Sequence, residues 1–318
     1  MELYIEKEFL DNFYGSFDEE RLTTGQQVIS TIFKDYEEIE WVYDTKIDSA
    51  IDLQELKNEN PFFAFLSNPN PPFDIENFEE HLFSNSKFLQ TLILTNSKKD
   101  WFKKAEAKGA LCMSFEDYEN RISTVIANCH IRIDLSKRFL GWNVFNGTSH
   151  LPINFISVSD NYVLINTKKY QEMDKNIIQI LKCFLNEREE KVDIKVISKV
   201  FNKDESENED EKKMNATNRH GKLHSSLANY KKNIQTINSN HCKDYDFHDR
   251  VISSNFFMID SGKGFNLMPS STPSNSQIIV ESIFNKYTYR RLKNHLKMQE
   301  KYLKYLKGLP PDSFTSIS

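Results

Sequence analysis

Between Phe247 and Asn266 the chain gathers side chains suited to phosphate chemistry. His248 brings an imidazole that changes charge near neutral pH, and Arg250 a guanidinium that can hold two phosphate oxygens at once. Asn255 follows Arg250 by five residues. Gly262-Lys263-Gly264 is the one close glycine pair in a chain with only 9 glycines among 318 residues, and Asn266 follows it. Further on, Lys286 to Lys307 carries eight basic residues, among them Arg290, Arg291 and Lys297, against the single acid Glu300. Tyr287, Tyr289, Tyr302 and Tyr305 interleave with these charges. A basic stripe of this kind can track a phosphate backbone while its aromatics stack on bases. The plain alternative leaves His248 and Arg250 as partners of nearby acids such as Asp249 or Asp260, the glycine pair as a hairpin turn, and the basic stripe as a solvated helix face.

The His248–Asn266 segment resembles the signature of the phospholipase-D-like superfamily: H-x-K, four residues, Asp, six residues, then a glycine pair and a nearby Asn. His248, Arg250, Asn255, Gly262 and Asn266 fall at or within one residue of those positions. The resemblance covers roughly residues 150–306 and implies that His248 is the nucleophile on a phosphodiester and Arg250 the phosphate clamp. Lys263 and Asn266 would be further phosphate contacts. Arg250 replaces the family's lysine, and Asn255 replaces the acid that orients the histidine. A full site of this family also needs two motifs, so one motif per chain implies a symmetric homodimer. The half-motif is similar to the C-terminal domain of MIT-domain proteins, where this fold is not catalytic.

The first half offers carboxylates. Glu6 ends a short apolar run, Leu3-Tyr4-Ile5, and Thr95-Asn96 ends another, Leu92-Ile93-Leu94. These positions resemble a PIN-like nuclease domain, in which acids after the first strand and in a T-N-D element bind a divalent metal, Mg or Mn, that activates water against RNA. The implied ligands are Glu6, Asp44, Asp100 and Asp117, with Asp48 and Glu116 as alternates. Ser97 stands where the third acid belongs, and Asp100 is displaced by three residues.

The elements that must position these groups read as two α/β domains. Strands are expected at Leu3–Ile5, Ile39–Tyr43, Phe62–Leu66, Thr91–Thr95 and Ala110–Met113, with helices at Glu19–Tyr36, Asp74–Ser84, Lys98–Lys108 and Ser114–Ala127. Ser114 is the expected cap of the last of these, with Asp117 at its third position. Residues 1–127 thus form a Rossmann- or PIN-like domain, and 128–149 a linker. Residues 150–308 form the phospholipase-D-like domain, with strands at Ile153–Val158, Val192–Ile197 and Ile234–Ile237, and one or two between His248 and Ile259. Its helices are expected at Lys175–Glu187, Lys222–Lys232 and through most of Gln277–Lys307. Residues 203–213 read as an acidic solvated loop, and 309–318 as a flexible tail.

Composition narrows the classes. Net charge is −5 on 318 residues, which excludes a globally basic nucleic-acid binder and leaves a local basic face. Four dispersed cysteines make neither a zinc knuckle nor a disulfide framework, no signal peptide opens the chain, and no apolar run could span a membrane. A cytoplasmic location is expected. The two resemblances together imply a recognition subunit of a prokaryotic multi-protein system, such as antiviral defence, that binds nucleic acid or a protein partner subunit through degenerate nuclease-like sites. The alternative is an active nuclease, either metal-dependent through the first-half acids or working through a dimeric His248 site.

Overall fold

The computed structural model describes residues 1–45, 47, 49–65, 78–164, 170–186, 188–199, 208–241, 247, 250–268, 272–309 and 316–317. His248, Asp249, Asp48 and residues 203–207 of the acidic segment therefore lie outside the described residues. The chain is mixed α/β and divides into two compact units. One comprises Met1–Ala127 with Leu151–Asn154, the other Asn128–His150 with Phe155–Ser318.

The first unit is built on four parallel strands, β1 (Glu2–Ile5), β2 (Glu40–Tyr43), β3 (Thr91–Thr95) and β4 (Ala110–Ser114), in the order β2-β1-β3-β4. These short strands are apolar runs because helices cover both faces. Helix α1 (Lys7–Gly15) buries Phe9, Leu10 and Phe13, and α2 (Thr24–Asp35) buries Ile29, Ile32 and Phe33. Phe13 is the centre of an aromatic cluster, its ring 5.3 Å from Phe62 and 6.0 Å from both Phe33 and Tyr118. A second apolar layer joins Tyr4, Val42, Ile93 and Cys112 of the sheet to Phe78 and Leu82 of α4 (Phe78–Asn85) and Phe102 of α5 (Phe102–Ala107).

Several expectations in this unit change. Pro61–Phe65 is a 3-10 helix and not a strand, with Phe62 and Phe63 buried, and among the described residues it pairs with no strand. Helices α1 and α3 (Ala50–Glu59) fall where none was expected; Ser49 starts α3 with a capping box closed by Asp52. Thr23 and Gln26 do the same for α2, so that helix begins at Thr24 and not at Glu19. Ser114 ends β4 and does not cap α6 (Tyr118–Cys129); instead the Asp117 carboxylate accepts the Ser114 N–H and hydroxyl, at 2.7 and 3.0 Å.

The second unit holds an eight-stranded mixed sheet, ordered β12-β8-β7-β6-β9-β10-β11-β5. Its strands are β5 (Ile131–Asp134), β6 (Phe155–Ser159), β7 (Val192–Ser198), β8 (Lys231–Asn238), β9 (Val251–Ser254), β10 (Phe257–Ser261), β11 (Gln277–Ser282) and β12 (Ser316–Ile317). Strands β6, β7 and β8 are parallel, and β9, β10, β11 and β5 continue antiparallel from β6. Residues 128–149 are thus no linker: they supply β5 and part of a 3-10 helix, Trp142–His150, whose Trp142 and Phe145 enter the core beside Phe184 and Phe265. The tail is not wholly free either, since Ser316–Ile317 pairs with β8.

The helix expected over Lys175–Glu187 is α8 (Ile177–Leu185), and a short helix that was not expected, α7 (Tyr170–Lys175), precedes it across Asn176. Asn176 is 1% exposed; its amide oxygen accepts Trp142 Nε1 and the N–H groups of Leu267 and Met268. Helix α9 (Glu209–Ser226) starts inside the expected acidic loop, because Asn208 and Glu211 form a capping box there. Residues 231–232 belong to β8 and not to a helix. Gln277–Ser282 is strand, and α10 (Lys286–Lys307) begins only after Asn285, whose side chain caps it.

Candidate functional site

The sheet topology of the second unit collects several chain segments at one edge. Strand β9 runs antiparallel to β6 with Ser159 opposite Val251, and β10 runs antiparallel to β9 with Val251 opposite Asp260. The residues after β6 and β7, before β9 and after β10 therefore share that edge. They are Asp160 to Tyr162, Lys199, Arg250, and Gly262 to Asn266.

Arg250 is the centre of this group. Its Nη1 donates to the Gly262 carbonyl at 3.0 Å, and its guanidinium carbon lies 5.3 Å from the centroid of the Tyr162 ring. Lys199 places its ammonium 5.5 Å from the same ring. Arg250 Nε and Asn266 Oδ1 are buried without a hydrogen-bond partner, one a donor and the other an acceptor. Asn266 Nδ2 donates to the Tyr162 carbonyl at 2.9 Å and so holds the loop that carries the ring. Gly264 sits at φ +86°, and a β-carbon there would lie 3.0 Å from both Arg250 Cδ and Asp160 Oδ2. Glycine is required by conformation and by closeness together. Lys263 donates to the Thr272 carbonyl.

The acid beside Arg250 is Asp160, from the end of β6, and not the Asn255 position. Asp160 is 1% exposed and accepts the N–H groups of Tyr162 and Phe265, at 2.7 and 3.2 Å. Burial pushes its carboxyl above the ordinary value, a rise that those two hydrogen bonds and the Arg250 charge oppose. Asn255 lies in the β9–β10 turn at the opposite sheet edge, where its side-chain oxygen accepts the Phe155 N–H at 3.5 Å. Five extended residues separate it from Arg250, about 16 Å, so the two do not share a site. The sequence reading missed Lys199, Tyr162 and the role of Asp160; their signal was a strand followed by Asp-Asn-Tyr.

The basic helix α10 crosses the same sheet. Thr288, Tyr289, Leu292, His295, Gln299, Tyr302 and Leu306 face inward. Gln299 bonds Ser157 and Ser159 at 3.0 Å each, His295 lies 3.2 Å from Ser159, and the Tyr302 hydroxyl donates to the Asn238 carbonyl at 2.6 Å. Two of the four tyrosines, Tyr289 and Tyr302, are therefore core residues, while Tyr287 and Tyr305 stay exposed. Arg291 pairs with Asp260 of β10 at 2.5 Å and ties the helix down. Arg290, Lys297, Lys301 and Lys304 lie on the outward face.

The acids of the first unit meet only in part. Glu6 and Asp44 stand at the adjacent ends of β1 and β2, and Asp44 Oδ1 accepts the Lys7 N–H at 2.7 Å, capping α1 from outside. Burial raises the Asp44 pKa; Glu6 adds to the rise and Lys99 opposes it. Glu6 bonds the Asn96 N–H and pairs with Lys99, both at 2.7 Å. Asp117 is engaged with Ser114, and Asp100 is exposed after β3. Among the described residues no three His, Cys, Asp or Glu side chains converge as a metal would require. This donor set does not fit the divalent ion that the PIN-like resemblance implies.

Cys112, Cys129 and Cys183 are free and buried; burial holds the last two thiols up to about 12 and about 11, too high for reactive thiolates. Among the described residues no helix is long and apolar enough to cross a membrane. Neither protein-family models nor curated proteins give a match to this chain.

Proposed function

We propose that the second unit recognises the phosphate backbone of a nucleic acid, acting as a recognition subunit of a larger assembly such as a prokaryotic defence system. The observation that carries this reading is the division of α10 into an inward face of apolar and hydrogen-bonded side chains and an outward face of Arg290, Lys297, Lys301 and Lys304. At 22 residues the helix is about 33 Å long, enough to follow several phosphates. The whole chain is net negative, so this charge is concentrated and not a general excess. Arg250 and Lys199 around Tyr162 supply a second, more enclosed phosphate contact, with an aromatic ring at its centre.

The test is fluorescence anisotropy with labelled single-stranded RNA, single-stranded DNA and duplex DNA across a salt series, in chelator. Wild type is expected to bind with a steep salt slope. The triple variant Lys297→Glu, Lys301→Glu, Lys304→Glu should lose affinity and flatten that slope by about one unit per phosphate contact removed. Arg250→Gln should weaken binding without unfolding the unit. Absence of salt-sensitive binding at low ionic strength, or equal binding by the triple variant, overturns the reading. Cleavage that survives chelator and disappears in His248→Ala assigns the alternative, a nuclease.

A further inference from the structure

We propose that Lys99 is the resident cation of the crevice between β1 and β3 in the first unit, standing where a metal-dependent phosphodiesterase would hold a divalent ion. The inference is independent of the nucleic-acid reading, which concerns the second unit.

The crevice is a topological switch point. Strands β1 and β3 are adjacent and parallel, but the chain leaves β1 toward β2 on one side and β3 toward β4 on the other. In open parallel sheets such a parting, at the carboxyl ends of the strands, is where ligands bind. Here the opening is filled from within. Glu6 is the first residue after β1, and its carboxylate spans the gap: one oxygen takes the Asn96 N–H and the other the Lys99 ammonium, each at 2.7 Å. The Glu6 and Lys99 side chains are 13% and 30% exposed, so the pair is less screened than an open surface pair.

Two further oxygens of the crevice are engaged as well. Asp44 Oδ1 accepts the Lys7 N–H, and Asn96 Oδ1 accepts from Asn12 Nδ2, both at 2.7 Å. A divalent ion needs several oxygens at roughly 2.0–2.6 Å with lone pairs turned to one point. An ammonium at hydrogen-bond distance from the first carboxylate removes one of those lone pairs and repels the incoming charge. Lys99 supplies the positive charge that the Glu6–Asp44 pair requires, with no ion to acquire or lose.

The prediction is a gain of function by removal. Full-length wild type, Glu6→Gln, Lys99→Met and the Lys99→Met/Glu6→Gln double variant are titrated with MnCl2 by calorimetry and by thermal-shift fluorimetry. Wild type and Glu6→Gln should respond identically. Lys99→Met should bind Mn²⁺ at least about tenfold more tightly than wild type, with a concentration-dependent rise in Tm, and the double variant should lose that gain. Manganese binding by wild type that Glu6→Gln abolishes overturns the proposal; so does a folded Lys99→Met that gains nothing. If Lys99→Met does not fold, Lys99→Gln takes its place, and the wild-type comparison with Glu6→Gln decides alone.

Discussion

Arg250 lies over the ring of Tyr162 with its guanidinium carbon 5.3 Å from the centroid, although the two residues come from different strands, one preceding β9 and the other following β6. That contact exists because β9 returns antiparallel against β6 and brings both to one sheet edge. It orients the guanidinium while leaving Nε buried without a hydrogen-bond partner, beside the Asp160 carboxylate.

Gly264→Ala should destabilise the second unit by about 1–3 kcal/mol. The residue holds φ +86°, and the new methyl would press on Arg250 and Asp160 at 3.0 Å. Urea denaturation followed by tryptophan fluorescence measures the loss. The proposed nucleic-acid binding should fall with it even where the variant is fully folded, because Arg250 must move.

Asn176→Ala should cost about 2–4 kcal/mol. One amide oxygen accepts three donors, Trp142 Nε1 and the N–H groups of Leu267 and Met268, in a fully buried position. Truncation leaves all three unpaired. A denaturation midpoint within experimental error of wild type would contradict this account of the α7–α8 break.

Tyr302→Phe and Tyr305→Phe separate the two faces of α10. The first removes a buried hydroxyl that donates to the Asn238 carbonyl at 2.6 Å and should cost about 1–2 kcal/mol. The second alters a side chain that is 42% exposed and should leave stability within about 0.5 kcal/mol of wild type. Paired thermal unfolding curves give the comparison.

Asp160 predicts a pH dependence with a definite sign. Its folded pKa lies above the unfolded value of 3.8, so the folded state holds the extra proton between the two values. Its contribution to stability therefore falls as pH rises from 3.8 toward the folded pKa, by at most about 1.4 kcal/mol per pH unit, and is level above it. Asp160→Asn carries no such term, so its stability deficit against wild type should shrink as pH rises through that window. Chemical denaturation of both proteins across the acidic range tests this; a deficit that widens would refute it.

Local pattern in the sequence determined much of the framework. The buried strands Thr91–Thr95 and Val192–Ser198 announce themselves as apolar runs, and α10 reads as one long basic element, because these signals depend on neighbours in the chain. The short elements did not. Pro61–Phe65 has strand-like composition but lies against Phe13 and Phe33, and tertiary packing made it a 3-10 helix. The site divides in the same way. Arg250 and the glycine pair were legible because they are close in sequence. Asp160, Tyr162 and Lys199 reach Arg250 only through strand order, and Asn255 leaves it because β9 carries it to the far edge. Lys99 was seen only as the start of a helical pattern; pairing of β1 with β3 made it the partner of Glu6. Residue types determined which chemistry was available. Register and strand direction decided which charges meet, since these set distances that no spacing along the chain can state.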